Sequence, residues 1–263
     1  MTTQIRNPAV AGSFYPADAA QLQQLISSFL SQAEAHLGPA PKAIIAPHAG
    51  YIYSGPVAAS AYINLLPVKE DIKRVVLLGP SHRVPLSGLA ASSASHFATP
   101  LGLIPLDTEA VAEICHLPQV SINDEAHLFE HSLEVHLPFL QTVLGDFCLV
   151  PLVVGQASPE QVDEVLARLW DGPETLLVIS SDLSHYHDYA VAQQLDKKTS
   201  QAIEQLDYQH IQYENACGRD PVNGLLHLAE RLGLKATTVD LRNSGDTAGP
   251  HDQVVGYGAY LFH

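Results

Sequence analysis

The chain has 263 residues, 13 basic and 28 acidic side chains, a formal charge of −15 at pH 7, and 46% hydrophobic against 16% charged residues. This balance describes a well-buried globular protein and excludes a disordered chain, and so acidic a surface argues against nucleic acid or an anionic membrane as partner. No apolar run reaches transmembrane length and residues 1–8 lack a secretory signal, so a cytoplasmic protein is expected. Nothing linker-like divides the chain, and residues 1–263 read as a single domain. Cys115, Cys148 and Cys217, an odd number without C-x-x-C pairing, fit a reducing compartment. Fourteen histidines is a high count and directs attention to metal or proton-transfer chemistry.

In chain order, Asp18 caps a predicted helix whose apolar stripe is Leu22, Leu25, Ile26, Phe29 and Leu30. The apolar run Ala43-Ile44-Ile45-Ala46 reads as a strand buried on both faces; it stops at Pro47 and presents His48. A small-residue helix is predicted from Gly55 to Leu66, and a second strand from Arg74 delivers His82. Leu89 to Ser92 reads as strand, and Asp107 opens a helix through Val111 and Ile114. Asp124 to Leu144 packs His127, Glu130, His131, Glu134 and His136 together. On a helix Glu130 and Glu134 share a face, as do His127 and His131, until Pro138 bends or restarts it.

Phe147 to Val154 is a further strand and Pro159 to Trp170 an amphipathic helix. Strand 175–180 then ends at Asp182 and His185. A helix from Tyr189 to Leu206 follows, then a turn at Cys217 to Pro221, with Asp220 as N-cap and Pro221 as the first residue of a helix carrying Leu225, Leu226, Leu228 and Leu232. Two last strands, Ala236 to Leu241 and Val254 to Phe262, flank the loop 243–253. The alternation predicts an α/β domain with a mostly parallel, twisted central sheet covered by helices.

Three apolar strands thus end in a histidine: His48, His82 and His185. As parallel neighbours their ends would lie roughly 5 Å apart per strand step, close enough for two imidazoles to share a metal and a third to act on its ligand. Cys115 and Cys148 read as small buried hydrophobes. Cys217 sits before a helix N-terminus with Arg219 near, a setting expected to lower a thiol pKa and favour a metal-binding thiolate. Asp182 either caps the turn before His185 or orients an imidazole or metal-bound water. The Glu130 to His136 cluster is either a solvated charged face or the place where His131 or Glu134 lines a pocket. No H-E-x-x-H, G-x-G-x-x-G, Walker loop or G-x-S-x-G elbow is present.

The ordered motifs Ala11-Gly12-Ser13-Phe14-Tyr15-Pro16, Ala46-Pro47-His48-Ala49-Gly50-Tyr51, Gly79-Pro80-Ser81-His82, Glu130-His131-Ser132-Leu133-Glu134-Val135-His136-Leu137-Pro138, Ser180-Ser181-Asp182-Leu183-Ser184-His185 and Cys217-Gly218-Arg219-Asp220-Pro221 resemble the Memo family, called AmmeMemoRadiSam system protein B in prokaryotes. The resemblance covers essentially the whole chain. It implies a fold similar to class III extradiol ring-cleavage dioxygenases, with a pocket at one edge of the sheet. It implies metal ligands at His48, His82 and Cys217 and a proton-handling role for His185; the reading of the residues adds Asp182 to orient His185 or a bound water and places Tyr51, His131, Glu134 and Arg219 at the pocket.

Iron or copper is the implied cofactor, with zinc as an alternative, and a thiolate in place of a carboxylate makes the site softer than the dioxygenase one. Ring cleavage therefore does not carry over. A redox or oxygen-using enzyme is the first expectation. A metal- or phosphopeptide-binding module without chemistry is the second, and zinc-assisted hydrolysis a third. The resemblance also implies a small-molecule or peptide ligand and association with a radical-SAM protein and an AMMECR1-type protein.

Overall fold

The computed structural model describes residues 4–170 and 172–263. Its strands are β1 (Ile5–Arg6), β2 (Ala43–Ala46), β3 (Arg74–Pro80), β4 (Leu89–Ala91), β5 (His96–Thr99), β6 (Gly102–Pro105), β7 (Val120–Ile122), β8 (Cys148–Val154), β9 (Thr175–Ser180), β10 (His185–His187), β11 (Ala236–Asn243) and β12 (Val254–Phe262). The helices are α1 (Ala19–Gln32), α2 (Tyr51–Tyr62), α3 (Thr108–Ile114), α4 (Asp124–Leu128), α5 (Leu137–Leu144), α6 (Pro159–Leu169), α7 (Tyr189–Glu204) and α8 (Arg219–Leu232).

The main sheet runs β10-β12-β2-β9-β3-β8-β4-β7, with β11 on the other side of β12. β2, β9, β3 and β8 are parallel, and their residues are buried almost without interruption. Continuous burial follows from helices on both faces. Ile44, Val75, Leu77 and Val178 face one core, with Leu22, Ile26 and Tyr62. Ile45, Val76, Leu78 and Leu177 face the other, with Leu166, Leu225 and Leu228.

The predicted mostly parallel sheet is found, with β4 and β7 also parallel, and antiparallel pairings are added on its flanks. β12 is antiparallel to β2, β10 and β11, and β4 is antiparallel to β8. A short return such as the 244–253 loop cannot make the long crossover that parallel pairing requires. β1, β5 and β6 form a separate small sheet.

Asp18 caps α1 as predicted, accepting from Gln21 N at 2.9 Å. α2 starts at Tyr51 rather than Gly55 and tolerates Pro56 within it. The stretch from Asp124 is not one helix: α4 ends at Leu128, a turn follows, and the chain becomes helical again at Glu134 and Leu137, with Pro138 in the first turn of α5. α8 starts one residue before Asp220, so Gly218 holds the capping position and Asp220 and Pro221 lie in the first turn. All three cysteines are free, and Cys115 and Cys148 are partly exposed rather than buried. No helix among the described residues is long and apolar enough to cross a membrane.

Candidate metal centre

The parallel strands β2, β9 and β3 end at one edge, and the turns after them bring their polar residues together. His48 follows β2, Asp182 follows β9 and His82 follows β3. The turn after α4 adds His131 from the opposite side. Among the described residues His48, His82 and His131 form a possible metal-binding group, one nitrogen from each lying within 4.8 Å of the others. Exposure rises across the group: the side chains of His48, His131 and His82 are 2%, 14% and 27% exposed. The centre is therefore anchored at His48 and open at His82.

Hydrogen bonding sets which nitrogen each ring presents. Ser180 Oγ donates to Ser132 O at 2.7 Å, so its single proton is spent and it accepts from His48 Nδ1 at 2.6 Å. This assignment leaves the lone pair of His48 on Nε2. His82 Nδ1 donates to Glu130 Oε1 at 2.9 Å, leaving its Nε2 free as well. An imidazole held through Nδ1 by a hydroxyl or carboxylate is the usual preparation for metal ligation through Nε2.

Glu130 also accepts from the backbone N–H groups of His82, His131 and Ser132 at 2.6, 2.9 and 2.9 Å. Burial alone would raise its carboxyl, but the His82 side chain and these N–H groups hold it down at about 2. Burial, then the neighbouring imidazoles, hold His48 well below the usual histidine range. Burial likewise lowers His131 to about 4, the nearby Arg83 charge adding to the effect. Neutral rings are what a metal ion needs. His131 Nδ1 is buried and has no hydrogen-bonding partner among the described residues, Glu130 Oε1 standing 3.4 Å away. Three neutral imidazoles converging in this way fit a cation.

Cys217 Sγ lies 3.4 Å from His48 Nε2. Nitrogen and sulfur ligands of one tetrahedral ion sit about 3.6 Å apart, so the thiol is at ligand spacing from His48, but it is not part of the His48, His82 and His131 group. Its pKa moves opposite to the sequence expectation: burial and the Asp182 charge push the thiol up. Arg219 does not counter this, because it is paired with Asp220 at 2.9 Å.

The remaining candidate residues take different places. Asp182 caps the loop after β2, its Oδ1 accepting from His48 N at 2.8 Å and its Oδ2 lying 4.0 Å from His48 Nε2. Burial raises its carboxyl, against the pull of His185 and the His48 and Ala49 N–H groups. His185 stands on β10, which pairs with β12, within electrostatic reach of His48 and Asp182. The Tyr51 hydroxyl is turned to Val135 O at 2.8 Å. Glu134 is turned to Arg6, Ala9, Val10 and Tyr15. The Glu130 to His136 stretch is no solvated face, since Glu130, Glu134 and His136 are all buried. The sequence reading left Ser180 and Glu130 without a role; their place in the same motifs as His185 and His131 was the only signal.

Fold and site together define an α/β protein with a candidate metal centre at the carboxyl edge of its sheet. The profile of the Memo-like protein family matches residues 6–261. The chain belongs to that family. It is 38% identical over 287 residues to a MEMO1 family protein of Saccharolobus solfataricus, covering 98% of this chain and 99% of the relative. Against a MEMO1 family protein of Aquifex aeolicus the identity is 37% over 270 residues, with the coverage again 98% and 99%. Among solved structures it is similar to an uncharacterized protein of Escherichia coli K12, with a TM-score of 0.53 and 14% identity over 83% of this chain and 98% of that one. The last likeness is one of fold.

Proposed function

We propose that this protein is a cytoplasmic metal-dependent redox protein in which His48, His82 and Cys217, with His131 beside them, hold one iron or copper ion. Zinc is the alternative occupant. The observation that supports the reading best is the pair of imidazoles locked through Nδ1, by Ser180 and Glu130, so that both keep Nε2 for a metal, with the Cys217 sulfur 3.4 Å from that of His48. A mixed imidazole and thiolate donor set suits iron, copper or zinc, and the first two would supply electron-transfer or oxygen chemistry. His185, with Asp182, is the proposed proton-handling pair. The cytoplasm is the reducing compartment that three unpaired thiols call for.

A cleft of about 520 Å³ reaches Cys217 between Pro80, Val84, Leu86, Tyr213 and Pro221. Among the described residues no lysine or arginine lines it, and Asp220 is its only carboxylate. An uncharged small molecule or peptide segment suits such walls better than an anion.

Elemental analysis after anaerobic reconstitution with Fe(II), Cu(I) or Zn(II) tests the assignment. Near-stoichiometric metal is expected in the wild type, Cys115→Ser and Cys148→Ser, and a large loss in His48→Ala, His82→Ala and Cys217→Ser. Equal metal in all of them would rule the centre out. A wild type that takes up no metal would shift the reading to a binding module that uses the cleft alone.

A further inference from the structure

Glu130 and His131 reach the centre from the turn between Leu128 and Glu134, which belongs to no regular element and makes few backbone hydrogen bonds of its own, among them Glu130 N to His127 O at 3.4 Å and Val135 N to His131 O at 3.1 Å. Arg6, more than a hundred residues earlier in the chain, supplies further donors. Its Nε donates to His127 O at 3.0 Å and its Nη2 to Glu130 O at 2.6 Å, while Nη1 pairs with Glu134 Oε2. Glu134 in turn accepts from Ala9 N at 2.7 Å, Val10 N at 3.0 Å and the Tyr15 hydroxyl at 2.5 Å. Arg6 is 8% exposed and Glu134 1%.

A buried ion pair is a poor device for stability alone, because desolvation offsets most of the attraction. Its geometry is another matter. The planar guanidinium fixes three acceptors in one arrangement, which the point charge of a lysine cannot do. We infer that Arg6 is a positioning residue for the metal centre: it holds the end of α4 and the following turn so that Glu130 grips His82 and His131 faces His48. The inference rests on the metal reading of the site, and it also has a consequence in the metal-free protein.

Arg6→Lys keeps a cation for Glu134 and gives up the fork. Imidazole proton–nitrogen NMR spectra of the metal-free wild type and variant are the first readout. The His82 and His131 ring nitrogens are expected to shift, whereas His227, paired with Asp163 between α6 and α8, keeps its resonance. Titration with Co(II) is the second, with affinity about tenfold weaker and the visible spectrum altered. Tyr15→Phe is the control: it loosens Glu134 from its other side, lowering Tm while leaving both readouts unchanged.

Unmoved His82 and His131 resonances overturn the inference whatever the metal does. So does an unchanged cobalt spectrum and affinity in a protein whose wild type binds cobalt, since Arg6 is then structural only. Moved resonances with no cobalt uptake by the wild type overturn the metal reading instead and leave the positioning role standing. If Arg6→Lys does not fold, Arg6→Gln/Glu134→Gln, which strands no buried charge, carries the same comparison.

Discussion

At Glu130 one carboxylate accepts from three backbone N–H groups and one imidazole, and no neutral side chain can replace it. A glutamine offers one oxygen, and its amide would point donors at donors. Glu130→Gln is therefore expected to cost about 1–3 kcal/mol of stability through stranded N–H groups and to weaken metal binding about 10- to 100-fold by releasing His82. Thermal melting and calorimetric metal titration read the two effects, and a variant with wild-type metal affinity would remove Glu130 from the centre. Of the three strand-end histidines, His48 and His82 were legible in the sequence as members of the group because each closes an apolar run. Glu130 was not, because a helical reading paired it with Glu134, whereas the turn after Leu128 sends the first to His82 and the second to Arg6. Nor was the thiol's pKa legible, since burial and the Asp182 charge are tertiary facts.

Between elements, the position of Cys217 depends on how closely α8 approaches the end of β9. A Cβ on Gly218 would meet Ser180 O at 2.5 Å and Ser181 Cβ at 2.8 Å, so only glycine lets the first turn of α8 sit there. Gly218→Ala must lift that turn off the strand, at about 1–3 kcal/mol by the usual cost of overpacking. The thiol moves with it. Faster reaction of Cys217 with a thiol reagent is expected, together with a lower Tm; a wild-type rate would show that the turn accommodates the methyl without moving. Burial of strands on both faces was readable from unbroken apolar runs, and so were the helices with one apolar stripe. The antiparallel flanks were not, because the partner of β12 is chosen by the short return from β11 and not by its own sequence.

For the whole molecule, the buried titratable groups decide how stability moves with pH. Burial lowers His127 and His131 to about 4 and His136 to about 3, and holds His48 well below its ordinary value. The unfolded chain takes up these protons near pH 6.5 and the fold does not, so stability falls as pH drops from there. Asp196 opposes this trend. It is 2% exposed, and burial pushes its carboxyl up to about 6 despite the hydrogen bond from Ser184 N and the nearby His185 and His187. A carboxyl raised in the fold holds its proton more tightly there. Its contribution is full below about pH 4 and is lost as pH rises through about 6, a swing of about 3 kcal/mol. Asp196→Asn keeps an oxygen for Ser184 N and removes the titration. The histidine effect cancels in the comparison, so the difference in Tm, variant minus wild type, is expected to grow from pH 4 to about pH 6 and to level off above that. A difference that stays flat over that range would mean that water or a counter-charge reaches the Asp196 carboxylate, and that the turn leading to His185 is not held by a buried acid.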